Sequence, residues 1–165
     1  MRLHVMRHGP AEDHSPSGSD FDRRLTPAGR ELVVSVARAF QTARGAGDRS
    51  TTPLRILTSP RVRARETAVI VRDAIVPIPG ELEILHELGG ETPIPLSLIE
   101  AAARSGVDTL LVGHQPVVEE LVQALLGGRR VRGGFSTATI FTLDHASDTG
   151  AWTFANHLDP SRLPR

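Results

Sequence analysis

Three short clusters in this chain carry side chains suited to holding and attacking an anion: Arg7-His8-Gly9, Ser59-Pro60-Arg61-Val62-Arg63-Ala64-Arg65-Glu66-Thr67, and Gly113-His114-Gln115-Pro116. The chemistry they suit is that of phosphate. A histidine near its ordinary pKa of about 6.5 is largely neutral at physiological pH and can attack phosphorus, while a neighbouring guanidinium grips two phosphoryl oxygens with its planar fork. Gly9 is expected to turn the backbone tightly and bring amide groups to the anion. A lone histidine after a strand is more often structural than catalytic, so it is the combination that carries the argument. By the 100° step of a helix, Arg61 and Arg65 point away from Arg63 and read as solvated charges. His4, His14, His86, His145 and His157 read as structural or exposed, His4 on the outward face of the first strand. None has a partner at a metal-ligand spacing such as His-Glu-x-x-His, so no metal and no cofactor is implied.

Composition removes several alternatives. The 165 residues suit one domain, residues 1–165, and 39% hydrophobic with 23% charged residues is ordinary for a globular protein. Formal net charge is zero, so bulk electrostatics points to neither nucleic acid nor a membrane. There is no cysteine, which excludes disulfides, thiolate metal sites and cysteine nucleophiles. All 19 basic residues are arginine, so a Schiff-base lysine and the lysine of a nucleotide-binding P-loop are excluded as well. With no basic-then-apolar leader and no apolar run near the ~18 residues that span a bilayer, the chain reads as soluble and cytoplasmic.

The elements that must position these clusters alternate. A strand is expected over 2–7, then a helix opened by Thr26 as N-cap with Pro27 at its first position, with Leu32, Val33, Val36, Ala37 and Phe40 at helical spacing and Gly45 and Gly47 closing it. A second strand, Leu54 to Thr58, leads to a helix expected from the cap-like Ser59-Pro60 to about Ile75, where Pro77, Pro79 and Gly80 break the chain. A weak strand at 82–85, a helix over roughly 96–104, a strand over 107–112 that is apolar except for Asp108 and Thr109, and a helix over about 116–126 follow. Ser136 to Leu143 and Ala151 to Ala155 read as a terminal antiparallel pair. The fold class is therefore α/β, a three-layer sandwich with a mostly parallel central sheet. Arg7-His8, Ser59-Pro60 and Gly113-His114 all fall at carboxyl ends of strands, the edge where such sheets bind ligands. The Ser- and Asp-rich loop over 13–22 reads as the mobile element, and Arg129, Arg130 and Arg132 as a basic loop that is either solvated or meets an acidic protein.

In their order and kind, the three clusters resemble the histidine phosphatase superfamily, which also contains the cofactor-dependent phosphoglycerate mutases. The short chain without an inserted cap domain, the Met6-Arg7-His8-Gly9 start followed by Ala11, the Arg24-Leu25-Thr26-Pro27-Ala28-Gly29 run and Phe135-Ser136-Thr137-Ala138 resemble most the SixA-type phosphohistidine phosphatases. Mutase-like relatives commonly carry Ser or Thr where Ala11 stands. The resemblance implies a phosphoglycerate mutase-like fold and a metal-independent phosphatase in which His8 takes the phosphoryl group, with Arg7, Arg63 and His114 around it and Gly9 among the substrate-binding residues. It also implies Glu87 as the acid that protonates a leaving alkoxide, a proton less needed by a leaving imidazole. The substrate is then phosphohistidine in a protein, or a small phosphoester. A phosphate- or phosphoprotein-binding module that does not turn over is the reading from another class, and a mutase is the fourth.

Overall fold

The computed structural model describes residues 1–45, 53–75, 80–89, 94–129 and 134–163. Among them lie β1 (Arg2–Arg7), α1 (Pro27–Gly45), β2 (Leu54–Thr58), α2 (Val62–Ala74), β3 (Glu83–Ile84), α3 (Leu96–Ser105), β4 (Asp108–Gly113), α4 (Val117–Leu125), β5 (Ile140–His145) and β6 (Trp152–Leu158), with short 3-10 turns at Asp20–Asp22, His86–Gly89 and Pro160–Arg162. The strands form one mixed sheet in the order β3-β2-β4-β1-β5-β6. β3, β2, β4 and β1 run parallel, while β5 and β6 are antiparallel additions at one side.

Alternation along the central strands builds two cores. Met6, Ile56, Leu110 and Val112 face α1 and α2 through Val33, Val36, Phe40, Ala64, Ala68 and Val71. Leu3, Val5, Leu57 and Leu111 face α3 and α4 through Ile99, Val118, Leu121 and Val122. The result is an α/β sandwich of three layers, with no cap domain evident among the described residues. None of the described helices is long and apolar enough to cross a membrane.

Because β1 is covered on both sides, His4 is not on an outward face: it is 2% exposed, with Nδ1 2.9 Å from Thr142 Oγ1 and its ring edge-on to Phe40 at 4.7 Å. Periodicity alone predicts which residues share a face, and a central strand has no solvent face to offer. Thr26 caps α1 as expected, its Oγ1 accepting the Gly29 N–H at 2.9 Å. Gly29 is required there, since a Cβ would come within 2.1 Å of the Pro10 carbonyl oxygen. The start of α2 differs from expectation. It begins at Val62 after an extended Arg61, with no side chain capping it from that position, and Ser59 Oγ instead accepts the Arg61 N–H at 3.2 Å.

Register places the two histidines. Arg7 pairs with Gly113 and Thr58 with Val112, so the residues that follow β1, β2 and β4 leave the sheet side by side. Two further backbone bonds extend the ladder beyond the strands, His8 N–H to Gly113 O at 3.0 Å and Ser59 N–H to Val112 O at 2.9 Å.

Candidate active site

At this edge His8 and His114 face one another, with ring centroids 4.7 Å apart, and the Arg63 guanidinium closes over them with Nε 3.3 Å from His8 Nε2. All three are buried. The His8 tautomer follows from its partners. Nδ1 lies 2.7 Å from the Gly9 carbonyl oxygen, which can only accept, so Nδ1 carries the proton. Nε2 therefore presents its lone pair to the Arg63 side, where the Nε–H donates to it. Burial, followed by the positive charges of Arg63 and Arg7, pushes the His8 pKa down to about 4 against the opposing bond to Gly9. A neutral imidazole with one fixed lone pair in a cationic setting is what nucleophilic attack on phosphorus requires.

Arg7 enters from the floor. One terminal nitrogen donates to Phe135 O at 2.7 Å, while Nε is buried without a hydrogen-bond partner among the described residues. His114 is in the same condition: its Nε2 lies 2.9 Å from Ser59 Oγ, and its Nδ1 is buried and unpartnered. Burial and the facing charges depress its pKa as well. A buried polar atom left unpaired costs about 1–3 kcal/mol, and two of them beside one nucleophile mark a place where a polar ligand belongs.

The loop over 134–139 is held to this floor by Ala138, whose N–H is shared between the Arg7 and His8 carbonyl oxygens at 3.1 and 3.0 Å. Ala138 adopts φ 65°, a left-handed conformation that an alanine takes up only under local constraint.

Three parts of the site depart from the sequence expectations. Gly9 does not offer its amide to an anion, because its N–H donates to Thr67 Oγ1 at 3.1 Å. Its lack of a side chain serves packing instead, as a Cβ would stand 2.4 Å from Val33 Cγ2. Arg61 does not point away: preceding the helix rather than lying on it, it donates to Gly89 O at 2.8 Å and pairs with Asp20, whereas Arg65 is exposed as expected. The segment over 13–22 is not a loose loop. Hydrogen bonds among Ser15, Ser17, Ser19 and Asp22 stitch it internally, and Asp20 fastens it to the site.

Asp20 and Ser59 are the site residues that sequence reasoning missed. Arg63 donates to the Asp20 backbone oxygen at 2.6 Å and to Oδ2 at 3.0 Å, Arg61 to the same Oδ2, and Arg23 to Oδ1 at 2.7 Å. These arginines, Arg23 foremost, hold the Asp20 carboxyl down at about 2. Glu87 sits half-buried on the turn after β3, at the same sheet edge, where Leu88 packs against Gly113. Among the described residues Glu87 is brought into no hydrogen bond or ion pair with His8, Arg63 or His114. Arg129 is exposed, and Arg130 and Arg132 lie outside the described residues.

No family model matches the sequence. An uncharacterized protein from Picosynechococcus sp. is 34% identical over 130 residues, 78% of this chain and 75% of that protein. A structure of the protein histidine phosphatase SixA with bound tungstate superposes with a TM-score of 0.84 at 28% identity, covering 98% of both chains. The chain belongs to the histidine phosphatase superfamily. A protein from Agrobacterium tumefaciens named as a phosphohistidine phosphatase SixA follows at TM-score 0.76 and 26% identity, covering 96% of this chain and 98% of that one. A phosphoserine phosphatase from Entamoeba histolytica, at 15% identity and TM-score 0.66 over 96% of each chain, shares the fold alone. The SixA structures at 26–28% identity are those of phosphatases, and a histidine-phosphatase type of hydrolase acting on phosphorylated substrates is the activity class of this chain.

Proposed function

We propose that residues 1–165 form one catalytic domain that dephosphorylates phosphohistidine in a protein, without a metal, through a phosphoryl group carried on His8. The observation that carries the reading is the fixed lone pair on His8 Nε2, set by the 2.7 Å bond from Nδ1 to Gly9 O and surrounded by Arg63, Arg7 and His114. Nε2 attacks phosphorus and the bond to the leaving nitrogen breaks in line with it. The guanidiniums of Arg7 and Arg63 and the orphaned His114 Nδ1 stabilise charge on the three equatorial oxygens, and water then releases phosphate from His8. Phosphoryl transfer asks for positioning and positive charge, and these four side chains supply both.

The lack of a cap domain among the described residues supports a protein substrate, since a phosphorylated side chain on a protein surface needs access rather than enclosure. The likeness to SixA supports the same choice. A second reading, a small phosphoester as substrate, draws on Glu87, whose half-buried carboxyl group lies at the same sheet edge and, in its protonated form, would donate its proton to the leaving alkoxide.

The test is single-turnover phosphate release, with chelator present, from a phosphohistidine peptide and from a simple phosphoester by the native chain, His8→Ala and Glu87→Gln. Release from the peptide that vanishes in His8→Ala and survives in Glu87→Gln is expected. Release mainly from the ester, collapsing in Glu87→Gln, would move the substrate to small phosphoesters. Binding of either substrate without release would leave only a phosphate-binding module.

A further inference from the structure

Arg63 spans the cleft from the nucleophile to its mouth. Its Nε lies 3.3 Å from His8 Nε2, whereas its terminal nitrogens reach Asp20 at the other end of the same planar group, 2.6 Å to the backbone oxygen and 3.0 Å to Oδ2. A phosphoryl group lying along this guanidinium has its phosphorus at the His8 end. The bond that breaks, in line with attack, points outward. The Asp20 carboxylate, 49% exposed, therefore stands at the depth where the leaving group departs.

Its bonding leaves room for one more partner. An ionised carboxylate offers about four acceptor directions. Arg23 takes one on Oδ1, and Arg61 and Arg63 share Oδ2. Every charged group in contact with the Asp20 carboxylate among the described residues is one of these arginines; Asp22, on the same turn, is bonded to Ser17, and His8 and His114 lie behind Arg63. So held, the carboxylate stays ionised throughout the neutral range.

We propose that Asp20 is a specificity-determining residue, whose carboxylate accepts the N–H of a protonated phosphohistidine ring and disfavours phosphoesters that carry a second anionic group. The inference rests on the phosphatase reading above. In the transfer step the His8 Nε2–P bond forms and the P–N bond to the substrate ring breaks, its electron pair returning to that ring nitrogen. A ring protonated on its other nitrogen leaves as neutral imidazole, while an unprotonated one would have to leave as imidazolate. A carboxylate at that N–H raises the ring's pKa and keeps the reactive form populated to higher pH. The same charge repels a carboxylate on a small phosphoester.

The test compares kcat/KM for a phosphohistidine peptide and for 3-phosphoglycerate across pH, using the native chain, Asp20→Asn and Asp20→Glu. Loss of a charge-assisted hydrogen bond predicts that Asp20→Asn lowers kcat/KM on the peptide about 10- to 100-fold and moves the alkaline limb of its profile to lower pH. The ratio of kcat/KM for the peptide to that for 3-phosphoglycerate is expected to fall in Asp20→Asn, and Asp20→Glu to restore the native preference. An equal fall on both substrates with an unmoved limb would reduce Asp20 to a support for Arg63, and an equal rise would make it a mere competitor of phosphate; either overturns the proposal. If the native chain leaves 3-phosphoglycerate untouched, the position of the peptide's alkaline limb decides alone. A native chain inactive on both substrates would fail the phosphatase reading itself, before any variant is compared.

Discussion

Protonating His8 is the perturbation whose size the structure sets most directly. Burial and the charges of Arg63 and Arg7 hold its pKa at about 4, against about 6.5 in an unfolded chain. The folded value is depressed, so the unfolded chain binds the extra proton first. The contribution of neutral His8 to stability is therefore complete above pH 6.5, declines as pH falls through 6.5, and is exhausted by about pH 4. Between pH 7 and pH 4.5 the two values give a loss of roughly 2 kcal/mol from this one residue. His8→Asn keeps a donor for Gly9 O but cannot titrate, and should lack that loss. The assay is denaturant unfolding of both chains across this range, with the His8 ring followed by NMR. At pH 5.5 an ordinary histidine is about one-tenth neutral, whereas His8 should be more than nine-tenths neutral. A His8 midpoint at pH 6 or above, or identical pH slopes for the two chains, would refute the electrostatic account of the nucleophile.

Two further outcomes probe its supports. Thr67 Oγ1 accepts the buried Gly9 N–H and donates to Arg63 O at 2.7 Å, so Thr67→Val strands the amide and should cost about 1–3 kcal/mol in chemical denaturation. An unchanged unfolding midpoint would contradict that bond. Ser59→Ala removes the partner of His114 Nε2 and of the Arg61 N–H, and should slow phosphoryl transfer about tenfold in single-turnover kinetics at a stability cost of about 1–3 kcal/mol. Unchanged kinetics would mean that packing alone orients the His114 ring.

Local signals carried the elements well: the apolar runs at β1, β2 and β4, and Thr26-Pro27 before α1, are each explained by a few neighbouring residues. The meeting of Arg7-His8, Ser59-Pro60 and Gly113-His114 was legible too, because strand ends in a parallel sheet share one edge, whereas Arg63, on α2, was singled out by the superfamily resemblance. What stayed hidden depends on distant partners. Ser59-Pro60 has the form of a helix cap, and only the parallel register of β2 with β4 reveals that Ser59 Oγ reaches His114. Asp20 stands among serines in a turn-like segment, and nothing local indicates that arginines 41 and 43 residues downstream converge on it. Arg61 was misassigned for the related reason that a one- or two-residue shift in a helix start redirects the side chains beside it.

The extension of the sheet ladder through His8 N–H and Ser59 N–H has a consequence for how the cleft gives way. The nucleophile and the residue supporting His114 are bolted to the central strands, so their amides open to solvent exchange only when the sheet itself comes apart. The wall opposite, from Ser15 to Asp22, is knitted to itself and fastened to α2 chiefly through one carboxylate. The cleft thus sets a rigid anvil against a separately knitted wall. Residues 15–22 are expected to exchange their amides together and well before those of His8 and Ser59, a difference that hydrogen exchange would read directly.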